Sequence, residues 1–214
     1  MLGASIGRGA MRIINAMVRS LASAGISPNI LTTIGVTINI GCGVLFGFGE
    51  FFWAGIVLIV ANLFDMLDGN VARMSGRVTR FGGFLDSSLD RLSDMVAFFG
   101  IVMFYASNVR QHSLLNVFLA GVGMIASVMV SYTTARSEGF GVKANVGFLQ
   151  RPERMVLLII GALSTWDWNS TNFFANRMPQ VLWVLAVGSL WTMLQRMIFI
   201  WKECRRIDGD ATAK

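Results

Sequence analysis

The chain has 214 residues, of which 54% are hydrophobic and only 14% charged, with a formal net charge of +6. A soluble domain carries about 25% charged residues, so this balance and a mean hydropathy of +0.61 exclude an ordinary soluble domain and point to a membrane protein. The basic excess has no interleaved aromatic pattern of the kind that binds nucleic acid, so no nucleic-acid partner is expected; it suits loops that face anionic lipid.

The N-terminal stretch, residues 5–25, reads as an amphipathic helix lying in the membrane interface. Met11, Ile14, Val18 and Leu21 fall on one side, and Arg8, Arg12 and Arg19 on another. Six apolar runs follow, each predicted to be a membrane-spanning helix of about 20 residues. They run from Ile30 to Phe48, opened by Pro28, from Phe51 to Asp68, from Gly83 to Ser107, from Leu114 to Tyr132, from Met155 to Trp166, and from Val181 to Trp201. The fifth is short unless it begins near Pro152. The whole is one all-α, polytopic domain over residues 1–214, with a loose tail over 206–214. Cys42 and Cys204 form neither a metal spacing nor a disulfide framework.

Six spans put both termini on one side. That side collects the N-terminal arginines, Arg73, Arg77, Arg80, Arg136, Lys143, Arg151, Arg154, Arg196, Lys202 and the basic residues after it, against Arg110 and Arg177 on the other. The asymmetry predicts a multi-pass cell-membrane (inner, cytoplasmic membrane) protein with both termini cytoplasmic.

Four carboxylates stand at the cytoplasmic ends of the second and third spans. Asp65 and Asp68 are spaced i,i+3, and Asp86 and Asp90 i,i+4, so each pair shares a helix face. A short loop joins the two helices, which predicts antiparallel neighbours and convergence of all four groups. Unpaired carboxylates in a dry site repel one another. A divalent cation relieves this, and an all-oxygen set without His or Cys favours Mg²⁺, with Mn²⁺ second. The competing reading pairs the aspartates with Arg73, Arg77, Arg80 and Arg91. Gly69, Ala72 and Gly82 lack bulk, which admits a flat ligand close to the backbone, and Arg73 is suited to neutralising a phosphate.

Asp65, Asp68, Gly69, Ala72, Arg73, Gly82, Asp86 and Asp90 fit the pattern D-x2-D-G-x2-A-R-x8-G-x3-D-x3-D without a gap. This resembles the signature of the CDP-alcohol phosphotransferases, membrane enzymes of phospholipid synthesis. The resemblance implies that Asp65, Asp68, Asp86 and Asp90 hold two Mg²⁺ or Mn²⁺ ions. It implies that Asp90 is also the base toward the attacking hydroxyl, and that Gly69, Ala72, Arg73 and Gly82 border the CDP-lipid, usually CDP-diacylglycerol. By the same resemblance the protein is expected to be a homodimer.

The acceptor alcohol has to be read elsewhere. Arg136, Lys143, Arg151 and Arg154 crowd the loop before the fifth span, and Arg196 on the sixth is placed to join them. Such a basic pocket suits an acceptor that already carries a phosphate. Arg151 and Arg154, in "RPER", open a helix, where positive charge opposes the dipole and an anionic ligand offsets it. The wording "SY-x2-AR-x-E … G-x3-RPER" is similar to the phosphatidylinositol phosphate synthases, whose acceptor is inositol phosphate. Thr134 stands where some members have a basic residue. Phosphatidylglycerophosphate synthase, with glycerol 3-phosphate as acceptor, is the alternative. A divalent-cation transporter is the reading from a different class.

Overall fold

The computed structural model describes residues 14–107, 110–144, 146–166 and 176–212; their regular elements are all helices, with no strand among them. Helix α1 covers residues 14–23. It is followed by α2 (Pro28–Phe48), α3 (Phe51–Met74), α4 (Arg80–Ser107), α5 (Leu114–Glu138), α6 (Arg151–Leu163) with a 3₁₀ turn at Ser164–Trp166, and α7 (Met178–Thr212). Every apolar run has become a helix, because a membrane-depth backbone must satisfy its own hydrogen bonds.

Four of these helices, α2, α3, α5 and α7, are long and apolar enough to cross a membrane. Helix α4, with 28 residues, is also long, but its N-terminal part carries Arg80, Asp86, Asp90, Arg91 and Asp94. Helix α6 has only 13 residues. Helix α7 continues past Arg206 to Thr212, so the expected loose tail is helical that far. Of the expected interfacial helix, the part before residue 14 lies outside the described residues. Val18 of α1 is fully buried against Leu31, Leu67 and Val71, while Arg19 is exposed. The apolar face of α1 thus packs on α2 and α3.

The six longer helices close into a ring: α2 packs on α3, α3 on α6, α6 on α7, α7 on α5, α5 on α4, and α4 on α2. Helices α3 and α4, expected to be neighbours, each pack on α2 rather than chiefly on one another. Glycines allow this. A Cβ on Gly43 would lie 2.6 Å from the Val96 carbonyl oxygen, and one on Gly100 2.1 Å from the Gly43 oxygen, so the two backbones cross in contact. The α2–α3 turn is equally tight: Gly49 takes φ 86°, and its N–H and that of Glu50 close onto Phe46 and Leu45 oxygens. Inside the ring lies a core that includes Phe46, Phe51, Phe98, Ile101, Leu158 and Leu182. Its outer surface is apolar too, with Ile34, Val44, Phe118, Ile125, Trp183, Val187 and Trp191 exposed, as a lipid-facing surface requires.

Candidate active site

At one end of the ring the last turns of α3 and the first turns of α4 bring three of the four signature carboxylates together. Asp65, Asp68 and Asp86 each offer an oxygen, and these oxygens lie within 4.8 Å of one another. Asp68 is buried, and Thr32 of α2 donates to its Oδ2 at 2.6 Å. Asp65 and Asp86 are half-buried. Three carboxylates at that separation, contributed by two helices and without His or Cys, form a donor set that fits a hard divalent cation.

A cleft of about 180 Å³ opens from this cluster between α2, α3 and α4. It is lined by Asp68, Asp86, Gly69, Ala72, Arg73 and Gly82, which brings all four residues expected to border the nucleotide onto one cavity. The loop between α3 and α4 is fixed at its middle and at its end. Thr79 Oγ1 accepts from the Gly82 N–H at 2.9 Å, capping α4, and Arg77 donates to the Gly25 oxygen at 3.0 Å. Arg73 is exposed and donates to Asn70. Asn29, Thr32 and Thr79 also line the cleft, and none of the three belongs to a motif in the sequence.

Asp90 is not one of the three convergent carboxylates but borders them: it shares a small cavity with Asp65 and Asp68 and meets Arg151 there. The Arg151 guanidinium reaches in from α6 and contacts Asp65 Oδ2 at 2.7 Å, Asp90 Oδ1 at 2.8 Å and Asp94 Oδ1 at 3.5 Å. Among the described residues, no ion pair joins the aspartates to Arg73, Arg77, Arg80 or Arg91, which removes the competing surface-pair reading; Arg91 donates to the Ser87 oxygen. The charge that opposes the dipole of α6 is therefore offset within the protein by Asp65, Asp90 and Asp94.

The five basic residues expected at the acceptor site are spread over three environments. Arg151 lines a second cavity of about 90 Å³ with Ser87, Asp90, Arg91, Asp94 and Ser131. Arg154 is fully buried and donates to Asp94 and to the Leu149 oxygen. Arg196 is also buried, donating to the Val146 and Val130 oxygens and to Thr134. Arg136 and Lys143 are exposed, Arg136 lying over the Phe140 ring. Asp94 and Ser127, unmarked as functional residues in the sequence, belong to the buried side of this region.

A sequence profile of the family described as CDP-alcohol phosphatidyltransferase matches residues 25–203. The phosphatidylinositol phosphate synthase of Mycobacterium tuberculosis (strain ATCC 25618 / H37Rv) is 35% identical over 205 residues, covering 94% of this chain and 91% of that protein. The crystal structure of the Mycobacterium tuberculosis phosphatidylinositol phosphate synthase with CDP-DAG bound superposes with a TM-score of 0.79 at 34% identity, covering 89% of this chain and 94% of that one. A second structure of that enzyme, in complex with manganese and citrate, superposes with a TM-score of 0.78 at 33% identity, covering 88% of each chain.

Proposed function

The chain belongs to the CDP-alcohol phosphatidyltransferase family, and from that premise we propose that it transfers a phosphatidyl group from CDP-diacylglycerol to a hydroxyl of inositol phosphate, releasing CMP. The observation that carries this reading is the placement of Asp90. It lines one cavity with Arg151 and shares another with Asp65 and Asp68, which converge with Asp86 beside Gly69, Ala72, Arg73 and Gly82. Family membership removes the transporter reading.

In the proposed arrangement the cleft holds the cytidine and pyrophosphate, with Arg73 facing phosphate and the small residues admitting the flat base. Asp65, Asp68 and Asp86, with Asp90 completing the set, would hold two divalent ions; these supply charge neutralisation for the attacking and leaving oxygens of an in-line displacement. The acceptor's phosphate lies against Arg151, whose planar fork suits two phosphate oxygens. Asp90 takes the proton of the attacking hydroxyl. A bond forms between that oxygen and the lipid-side phosphorus, the phosphorus–oxygen bond to CMP breaks, and CMP departs with the electron pair. Arg154 and Arg196 support the site from behind, while Arg136 and Lys143 lie outside it.

The same reading places the enzyme as one domain in the inner (cytoplasmic) membrane. Helices α2 to α7 make six passes, α1 lies at the interface, both termini and the site are cytoplasmic, and the protein is a homodimer. Charge asymmetry supports the orientation, and labelling of single cysteines placed at each terminus checks it: termini on opposite sides contradict it.

The function is tested by supplying the purified protein with CDP-diacylglycerol and, in turn, labelled inositol phosphate, glycerol 3-phosphate, inositol and serine, then identifying the lipid formed. Phosphatidylinositol phosphate is expected. Phosphatidylglycerophosphate as the dominant product transfers the assignment to the glycerol 3-phosphate enzyme.

A further inference from the structure

Asp94 stands one turn beyond Asp90 on α4, outside the signature, and its side chain is only 5% exposed. It joins three helices. Ser127 Oγ of α5 donates to Oδ2 at 3.1 Å, and Arg154 of α6 donates to the same oxygen at 3.2 Å. The other oxygen, Oδ1, faces Arg151 Nε at 3.5 Å; both atoms are buried and neither has a hydrogen bond, so they meet as an ion pair. A carboxylate taken out of water needs its charge compensated, and Arg154 does this. Arg154 is itself held on the Leu149 oxygen at 3.3 Å, and the Leu149 N–H donates to Thr192 of α7 at 2.9 Å. The anchor thus reaches back into the frame of the ring.

Facing Asp94 with Nε leaves the terminal nitrogens of Arg151 turned toward Asp65 and Asp90. A guanidinium fixed on its Nε side presents its fork in one plane, which is what a phosphate ligand of defined direction requires. We propose that Asp94 is a positioning residue: it orients Arg151 toward the acceptor's phosphate beside Asp90, and Arg154 acts as the buried counter-charge of Asp94 rather than as a phosphate ligand. This rests on the reading that a phosphorylated acceptor binds at Arg151.

The test is steady-state kinetics on the full-length protein with both substrates varied, for Asp94→Asn, Arg151→Lys and the double variant. Asp94→Asn keeps the volume and can still accept from Ser127 and Arg154, but loses the charge. It is expected to raise the acceptor KM about tenfold and to leave the CDP-diacylglycerol KM within about twofold. The double variant is expected to be no worse than Arg151→Lys alone, because both changes act through one side chain. A fall in kcat with both KM values unchanged, or a double effect equal to the product of the single ones, overturns the role. If Asp94→Asn does not fold, Ser127→Ala decides: it removes one hydrogen bond to Oδ2 and is expected to raise the acceptor KM about threefold, and an unchanged KM overturns the proposal. Wild-type protein that ignores inositol phosphate but consumes glycerol 3-phosphate defeats the functional assignment alone, and the same comparison is then made on glycerol 3-phosphate. Wild-type protein active with neither defeats both.

Discussion

The cleft between α2, α3 and α4 and the basic region around α6 are built in opposite ways. The cleft is open at two of its glycines: a Cβ added at Gly69 would meet only the end of Arg73, at 3.8 Å, and one at Gly83 would meet nothing within 4 Å, whereas one at Gly82 would press on Thr79 Oγ1 at 2.9 Å. Gly69 and Gly83 are not required by contacts within the protein, unlike Gly43 and Gly100 at the α2–α4 crossing. The basic region is full: Arg154 and Arg196 are buried and already bonded, and Arg151 is engaged by three aspartates. In the proposed arrangement the donor side is a space left for a ligand, while the acceptor side is a set of charges fixed in advance. A shared nucleotide needs room; choice among small phosphorylated alcohols needs direction.

The most severe way to break this arrangement removes what the two sides share. Activity is expected to vanish in excess chelator and to return with Mg²⁺ or Mn²⁺, since Asp65, Asp68 and Asp86 converge with oxygen donors only; full turnover in chelator, followed by CMP release, would remove the metal role. Asp90→Asn comes next. Turnover should be lost while CDP-diacylglycerol binding stays measurable, because the three-carboxylate cluster remains intact. Near-normal turnover in that variant takes Asp90 out of the reaction.

The two sides are then separated by smaller changes. Arg151→Lys keeps the charge but loses the fork. A charge-assisted hydrogen bond contributes about 1.5–3 kcal/mol, so the acceptor KM is expected to rise roughly ten- to a hundredfold. Gly69→Ala should leave thermal stability unchanged or slightly higher, since Ala is favoured over Gly in a helix by about 1 kcal/mol. Its expected effect is a severalfold higher KM for CDP-diacylglycerol alone; loss of folding instead would mean that Gly69 serves the protein and not the ligand. Lys143→Ala, at an exposed site without an ion pair to the aspartates among the described residues, is expected to change either KM by less than about twofold.

How far the sequence foretold each side follows the same division. The donor cleft is written in one stretch of chain, where i,i+3 and i,i+4 spacing fixes which carboxylates share a face. The apolar runs located every longer helix, because burial in lipid and backbone satisfaction both demand them. What escaped was tertiary. Nothing local in α2 announces that Thr32 bonds Asp68, or that Gly43 lets α2 sit between α3 and α4. Arg151 and Arg154 look equivalent three residues apart at one helix start. Yet one points at Asp65 and Asp90, and the other is enclosed behind Asp94. Only the ring closure of α6 onto α3 distinguishes them. The two weak spans differ in kind: α4 carries the charges of the site in its N-terminal part, and α6 runs only 13 residues before the 3₁₀ turn at Ser164–Trp166.

The most direct test of the division is equilibrium binding of CDP-diacylglycerol to Arg151→Lys and Gly69→Ala proteins in parallel, with the acceptor KM measured on the same preparations. The expected result is a wild-type dissociation constant with a raised acceptor KM for Arg151→Lys, and the reverse pattern for Gly69→Ala. If Arg151→Lys weakens CDP-diacylglycerol binding as much as it weakens use of the acceptor, the two sides are one pocket and the division does not stand.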